Sequence, residues 1–383
     1  MVATIPWQEF SLVRGGPAYR LMRWLHLVRP PRQGVIRCAF VLAMVGWLPI
    51  VLFAALERGD VLARLFRELQ VHAELLLSIP ALVLAEPYID GRLGVAVRQF
   101  PRAMLIEGEG RARYEALLRR VTDWRDLPAV ELALVALVLA LGMLVPPDGT
   151  RDWLESEGTG HHVTMAGTWY LLVAQPLLRF LVLRWLWRGV VWTVFLWRAS
   201  RLPLTLIPTH PDMMGGLGFL PICQASFSMV VFAVAMPVAA YSFRRNAAAI
   251  TEAPIEYVMP QLIFGVLSCL VVFGPLAFFS SALVKSKRWG DPWFSVVAAR
   301  HSRDFEHRWF RREPGVDPLS AEDFSSLTDL GTSFQVSRRM RLFLYDRRAF
   351  IAVGIAALLP LGLLLMLDRQ FLSVVDQLRE SVS

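Results

Sequence analysis

Long runs of apolar residues alternate with shorter charged segments along this chain. A membrane-spanning helix needs about 20 mainly apolar residues, so each run of this length predicts a transmembrane helix. Glu74, Pro80 and Glu86 interrupt the second run, for which a re-entrant or buried helix is the alternative. The pattern predicts an all-α, polytopic transmembrane helical bundle with seven spans. They are 36–56, 71–89, 130–147, 166–188 with a helical extension to 200, 218–241, 258–284 and 349–367.

The composition agrees with this pattern. Apolar residues make up 55% of the 383 residues, and charged residues make up 19%. Soluble domains contain about 25% charged residues. Because the apolar residues are also clustered in blocks, the sequence excludes a soluble enzyme, a disulfide-rich secreted domain and a disordered chain. The three cysteines form no CxxC pair, so no metal centre or disulfide framework is predicted.

Basic residues are distributed unevenly between the predicted loops. Eight lie in 90–129 and thirteen in 285–348, against one in 148–165 and two in 242–257. Cytoplasmic loops carry the excess of Arg and Lys, so the N-terminus is predicted inside and the C-terminus outside. The net charge of +8 is then explained by this bias and by anionic headgroups, without nucleic acid.

The predicted organisation has five parts. Residues 1–35 form a basic amphipathic cytoplasmic segment, in which Arg20, Arg23 and Arg29 are expected to contact anionic lipids of the inner leaflet. Spans 1–6 occupy 36–284 and include the cytoplasmic loop 90–129. A cytoplasmic helical cap follows at 285–348, then span 7 at 349–367 and a tail at 368–383.

A glycine-rich stretch, Thr-His-Pro-Asp-Met-Met-Gly-Gly-Leu-Gly-Phe-Leu, begins at Thr209 just before the fifth span. Clustered glycines ahead of a helix expose backbone N–H groups, and a helix N-terminus attracts anions. One interpretation is therefore an anion cradle, and the other is a capped turn whose glycines allow close helix packing. The candidate substrate-binding residues here are His210, Asp212, Gly215, Gly216 and Gly218.

Charged residues within the predicted spans are the second candidate site. At 1.5 Å per residue, Arg179 lies about 16 Å below the outer end of its span, Arg184 about 24 Å, and Glu86 about 22 Å. Arg179 is predicted to bind an anion, the alternative being a bond to Gln175 or to backbone carbonyls. Glu86 and Arg184 match in depth and are predicted to pair. The surrounding tryptophans also favour an interfacial aromatic belt with Arg184 and Arg188 snorkelling to the membrane surface.

Two stretches carry a resemblance. The run Leu183–Arg188, the Arg201–Leu202 pair and the glycine-rich stretch form the first, and Asp323–Leu330 forms the second. The chain resembles a group of uncharacterised bacterial multi-pass inner-membrane proteins from about residue 70 to its end. The resemblance implies a multi-pass fold in a bacterial inner membrane and no particular activity.

These observations favour a channel or transporter for small solutes, with anions preferred. The alternatives are a non-transporting inner-membrane scaffold or assembly factor, and a lipid-binding or lipid-modifying enzyme that uses His210 and Asp212. No GxSxG or HExxH motif is present, so an enzyme is disfavoured, and no catalytic residue, cofactor or metal is predicted. His301, Asp304 and His307 spread too widely around a helix to bind one ion well. A homo-oligomer is a further expectation.

Overall fold

The computed structural model describes residues 7, 10–24, 34–57, 61–144, 153–154, 163–245, 254–307 and 321–367. This part of the chain is all helical and contains no strand, which confirms the predicted fold class at that level. Arg29 and the tail 368–383 lie outside the described residues.

Six helices are long and apolar enough to cross a membrane, and a bent pair gives a seventh candidate. By length and composition, these helices fit the membrane-embedded bundle that the sequence indicated. In chain order the helices are α1 (Gly16–Trp24), α2 (Val35–Leu56), α3 (Val61–Arg67), α4 (Leu69–Arg102), α5 (Glu109–Arg125), α6 (Pro128–Leu144), α7 (Met165–Ala199), α8 (Phe219–Ser242), α9 (Pro254–Phe273), α10 (Ser280–Glu306), α11 (Ala321–Arg338) and α12 (Arg347–Leu367).

The third predicted span, 130–147, is the short helix α6, which pairs with the charged helix α5 across a bend of 41°. The N–H of Asp126 bonds the carbonyls of Thr122 and Asp123 and ends α5. Pro128 then starts α6, because a proline without an N–H is tolerated at the first turn of a helix. At 17 residues α6 is about 25 Å long, less than the hydrocarbon core of about 30 Å.

Helix α4 is the most enclosed of the candidate spans, with 61% of its apolar window buried inside the bundle. It runs well beyond the predicted range 71–89 and crosses the whole bundle. Its early part, Ala73–Ser78, is π-helical and directly precedes Pro80. Helix α7 repeats this arrangement, with a π-helical turn at Tyr170–Ala174 ahead of Pro176. A proline removes one N–H from the backbone hydrogen bonds of a helix. In both helices the turn ahead of the proline adopts the wider π-helical hydrogen-bond pattern.

The two π-helical turns are joined by a hydrogen bond. The hydroxyl of Tyr170 donates to Glu74 at 2.7 Å, and the amide of Gln70 donates to the other oxygen of this carboxylate at 2.7 Å. Glu74 is buried, so these donors replace the water that a carboxylate otherwise requires. An acidic residue that interrupts the apolar pattern of the second predicted span is thus accommodated inside the bundle.

The predicted sixth span does not end at residue 284. A 3₁₀ turn at Gly274–Phe279 links α9 to α10, and α10 continues as helix to Glu306. The far part of α10 packs against α11, and Ser337 donates to Asp291 between them at 2.9 Å. The described residues of the predicted cap 285–348 therefore belong mostly to the helical pair α10 and α11, and 308–320 lie outside the described residues.

Aromatic and amide side chains hold the centre of the bundle. Phe100 of α4 packs against Phe195, Phe219 and Phe279 from three other segments. Gln224 of α8 accepts a hydrogen bond from Trp192 of α7 at 2.9 Å and donates to the carbonyl of Val272 of α9 at 2.6 Å. This core fixes α4 and α7 side by side, and Glu86 and Arg184 meet between them.

Candidate functional site

One carboxylate joins two arginines inside the bundle. The Oε1 atom of Glu86 on α4 accepts hydrogen bonds from Nη1 of Arg184 and from Nη1 of Arg188, both at 2.9 Å. Each arginine side chain is only 4% exposed. The structure therefore places the two residues predicted to pair in direct contact. The snorkelling interpretation of Arg184 and Arg188 is wrong, because both side chains turn inward to Glu86.

Helix geometry explains why both arginines reach the same acid. Arg184 and Arg188 are four residues apart and lie on one face of α7. Trp185 fixes that face against α4 by donating to the carbonyl of Leu82 at 3.0 Å, and its ring lies 5.0 Å from the Arg188 guanidinium. Charges buried in an apolar bundle must be paired, and one carboxylate here serves two cations.

A second acid extends this network toward α6. The Nε atom of Arg184 lies 3.7 Å from Oε1 of Glu131, which stands in the first turn of α6. We refer to Glu86, Glu131, Arg184 and Arg188 as the arginine network. It ties α4, α6 and α7 together. Sequence reasoning missed Glu131, although a lone acid in the first turn of an otherwise apolar helix was the available signal.

Two buried donors beside this network have no hydrogen-bond partner among the described residues. They are Nη2 of Arg184 and Nε1 of Trp187. Both side chains line one cavity, together with Leu12, Arg125 and Glu131. Its volume is about 10 Å³, close to the minimum that one water molecule requires. In this conformation the cavity is too small for a polyatomic anion.

Arg179 lies further along α7, at its contact with α6. Its Nη1 atom is buried and makes no hydrogen bond within the described part of the chain. A Cβ added at Gly142 of α6 would lie 3.9 Å from this atom, which locates the guanidinium at the α6–α7 interface. Its predicted role in binding an anion stays a prediction.

The glycine-rich stretch folds around its own carboxylate. Oδ1 of Asp212 accepts from the N–H groups of Met214 at 2.7 Å and Gly216 at 3.2 Å, and Oδ2 accepts from the N–H of Gly218 at 2.8 Å. Nδ1 of His210 lies 2.8 Å from Oδ1 of the same carboxylate. These are the backbone donors that an external anion would need, and Asp212 already uses them. The geometry favours the capped turn, while the predicted role of the stretch in substrate binding is untested.

The glycines of this stretch serve the turn and its packing. Gly215 and Gly216 have φ values of 66° and 94°, in the left-handed region that favours glycine. A Cβ at Gly215 would approach Met340 to 3.1 Å, and one at Gly218 would approach Asp212 to 3.0 Å. No contact joins this stretch to Arg179 within the described residues, so the predicted binding residues form two separate places.

Metal ligation receives no geometric support among the described residues. No group of three His, Cys, Asp or Glu side chains is placed to hold an ion there. His301, Asp304 and His307 all fall within or at the end of α10 and do not form such a group.

Replacing Glu86 with alanine is expected to destabilise the protein. The change leaves Arg184 and Arg188 buried without their shared acid, a loss of about 3–5 kcal/mol in the free energy of unfolding. Thermal unfolding of the purified protein in detergent measures this as a lower midpoint. Glu109→Ala is the control, because that side chain is 93% exposed and pairs only at the surface. Equal midpoints for the two variants would contradict the role of the network.

Replacing Asp212 with alanine is expected to cost at least about 2 kcal/mol of stability, because three N–H groups lose their acceptor. Asp212→Asn keeps one acceptor oxygen and should fall between the wild type and Asp212→Ala. The unfolding midpoints of the three proteins test this order. An Asp212→Ala midpoint equal to that of the wild type would show that the carboxylate does not hold the turn.

Comparison with known proteins does not assign this chain to a family. No family model, no curated protein and no solved structure matches the chain.

Proposed function

We propose that this protein passes small anions across the bacterial inner membrane along the interface of α6 and α7, with its N-terminus in the cytoplasm. The buried, unpartnered Nη1 of Arg179 carries the proposal. Ionisable residues at membrane depth are costly, and they usually face the bundle interior and mark ion pathways. A guanidinium donor that meets no acceptor within the described residues is suited to an anion that arrives from outside the chain.

The positions of the other α7 arginines support a route rather than a single site. Arg179 contacts α6 near its end, while Arg184 and Arg188 lie toward the other end of α7, beside the start of α6. Arg184 also has an unpartnered donor, and Trp187 adds a second one beside it. Successive donors of this kind offer an anion several weak sites, which permeation requires.

The size of the cavity limits the proposed solute. A space of about 10 Å³ beside Arg184 admits about one water molecule, so the described conformation is closed to phosphate and organic anions. A monatomic anion needs the smallest rearrangement to enter. We therefore favour halides as the first solutes to test.

Arg179→Ala is expected to abolish chloride efflux from proteoliposomes while expression and unfolding midpoint stay at the wild-type level. The reason is that Nη1 of Arg179 has no structural partner to lose within the described residues. Arg201→Ala is the matched control, because this exposed arginine follows the same helix and its guanidinium lies 4.4 Å from the Trp197 ring. Wild-type efflux in Arg179→Ala would remove this residue from the mechanism.

A scaffold or assembly factor is the second candidate, and an exposed aromatic pair favours it. The rings of Trp289 and Trp293 stack at 5.8 Å on α10, with 63% and 51% of these residues exposed. Tryptophan is enriched in the anchors of protein interfaces. The lipid-modifying alternative has less support, because Asp212 is engaged in its own turn.

The scaffold candidate predicts that the wild type shows no efflux and co-purifies with another protein. The double variant Trp289→Ala with Trp293→Ala should no longer bind this protein. Trp197→Ala serves as the aromatic control, because Trp197 is exposed on α7 away from this pair. Affinity purification followed by mass spectrometry measures the release. Retention of the same protein by the double variant would rule out the pair as a docking site.

A further inference from the structure

A segment near the N-terminus is buried although it forms no helix. Phe10, Ser11, Leu12 and Val13 are all buried, and Leu12 is only 1% exposed. The ring of Phe10 packs against Phe195 of α7 at 6.1 Å. We refer to residues 10–16 as the N-terminal plug. Sequence periodicity gave no signal for it, because the segment is too short and irregular.

Asp90 of α4 holds the middle of the plug. Its Oδ1 atom accepts from the hydroxyl of Ser11 at 2.8 Å and from the N–H of Leu12 at 2.9 Å. The hydroxyl of Ser11 in turn accepts from the N–H of Arg14 at 2.9 Å, which fixes a tight bend. Asp90 lies one helical turn after Glu86, so the plug is placed next to the arginine network.

The bend between α5 and α6 holds the other side of the plug. Arg125 donates through Nη1 to the carbonyl of Ser11 and pairs through Nε with Asp126 at 2.7 Å. Gly15 and Gly16 pass so close to Asp126 and Glu131 that an added Cβ would overlap these carboxylates. Gly16 has a φ of 81° and begins α1. Glycines at these two positions allow the chain to enter between α4 and the α5–α6 bend.

The plug lines two cavities that border the arginine network. Leu12 and Gly15 line the cavity of about 10 Å³ that also contains Arg184, Trp187 and Arg188. Val13 and Arg14 line a second cavity of about 40 Å³, together with Glu86, Asp90 and Cys38. Removal of the plug would open both spaces, because neighbouring residues of the plug line each of them.

We propose that the N-terminal plug is an autoinhibitory element that closes access to the arginine network and leaves it reversibly. Reversible release is favoured because the buried ion pairs of the bundle remain intact when the plug leaves. Glu86 keeps both arginines and Arg125 keeps Asp126 when the plug departs, so those buried charges stay paired. Asp90 loses its bonds to the plug but gains water in the opened second cavity, which it lines. The plug is also short, and Arg14 is already 49% exposed beside Asp90.

Part of this inference rests on the proposed function, since what the plug blocks is the anion route. The proposed movement of the plug does not rest on that function, because the reactivity of a native thiol reports the movement directly. Cys38 is fully buried and lines the second cavity beside Val13 and Arg14. Cysteine reactivity depends on access of the reagent to the thiol. The labelling rate of Cys38 therefore follows the fraction of molecules in which the plug has moved away.

The test uses full-length protein with Cys223→Ala and Cys269→Ala, which leaves Cys38 as its one thiol. Leu12→Lys places an ammonium in the cavity that Arg125, Arg184 and Arg188 already line, and should raise the rate of labelling by a charged maleimide at least about tenfold. Leu12→Met is the matched control and should label like the parent. An unchanged rate in Leu12→Lys would overturn the proposal.

A second single-thiol protein separates plug release from unfolding. Cys38→Ala with Cys269→Ala leaves Cys223, which is buried on α8 and is not a wall of either cavity. An increase in the labelling rate of Cys38 without an increase for Cys223 supports release of the plug. Should Leu12→Lys accelerate both thiols, Ser11→Ala is measured in both backgrounds, because it removes the hydrogen bonds of the Ser11 hydroxyl without burying a charge. If Ser11→Ala raises the labelling rates of Cys38 and Cys223 equally, or raises neither rate, the proposal is overturned.

Chloride efflux distinguishes failure of the plug from failure of permeation. Faster Cys38 labelling with no efflux from any variant would retain the plug and reject the anion route. If the wild type shows efflux, and Leu12→Lys increases neither the efflux nor the labelling of Cys38, the route is retained and the plug is rejected. Faster labelling together with increased efflux supports both.

Discussion

The shared carboxylate of Glu86 is the constraint on which the rest of the bundle depends. Two guanidinium groups within an apolar bundle require an acid at hydrogen-bond distance, and Glu86 supplies it to Arg184 and Arg188 at once. This requirement fixes the rotation of α7 against α4. It also draws in Glu131 and with it the start of α6. The position of the α5–α6 bend then follows, because α6 begins only three residues before this acid.

The pairing of two arginines with one acid leaves a donor surplus. Arg184 uses Nη1 and Nε toward acids, yet Nη2 meets no acceptor among the described residues. Trp187 presents a second such donor to the same cavity. An unsatisfied buried donor costs about 1–3 kcal/mol, so two beside one cavity need an explanation. A small acceptor that visits this cavity provides it, whether it is a water molecule or a permeating anion.

The sequence predicted the all-helical fold and the contact between Glu86 and Arg184 through depth along two spans. It did not predict that Arg188 joins them, because nearby tryptophans also fit an aromatic belt, and only tertiary packing distinguishes an inward from an outward arginine. The bend before α6 was missed for a related reason. Apolar periodicity identifies an apolar helix, but Pro128 and the end of α5 at Arg125 decide how it connects.

The glycine-rich stretch shows a different limit of sequence reasoning. Glycines ahead of a helix indicate backbone N–H groups that can bind an anion, and a cluster of such N–H groups does form here. The sequence could not show that the anion is Asp212, since its bonds to Met214, Gly216 and Gly218 exist only after the turn has closed. A motif with an acid three residues before its glycines can satisfy itself.

The N-terminal plug connects these observations. A protein that only needed to pair Glu86 with two arginines could exclude water by packing apolar side chains over them. Here the cover is an irregular segment held by Asp90, Arg125 and a bend at Ser11. These contacts are hydrogen bonds to groups that water can also satisfy, so releasing the segment costs less than removing a helix of the same length. A cover of this kind favours a network that is closed at rest and accessible at intervals.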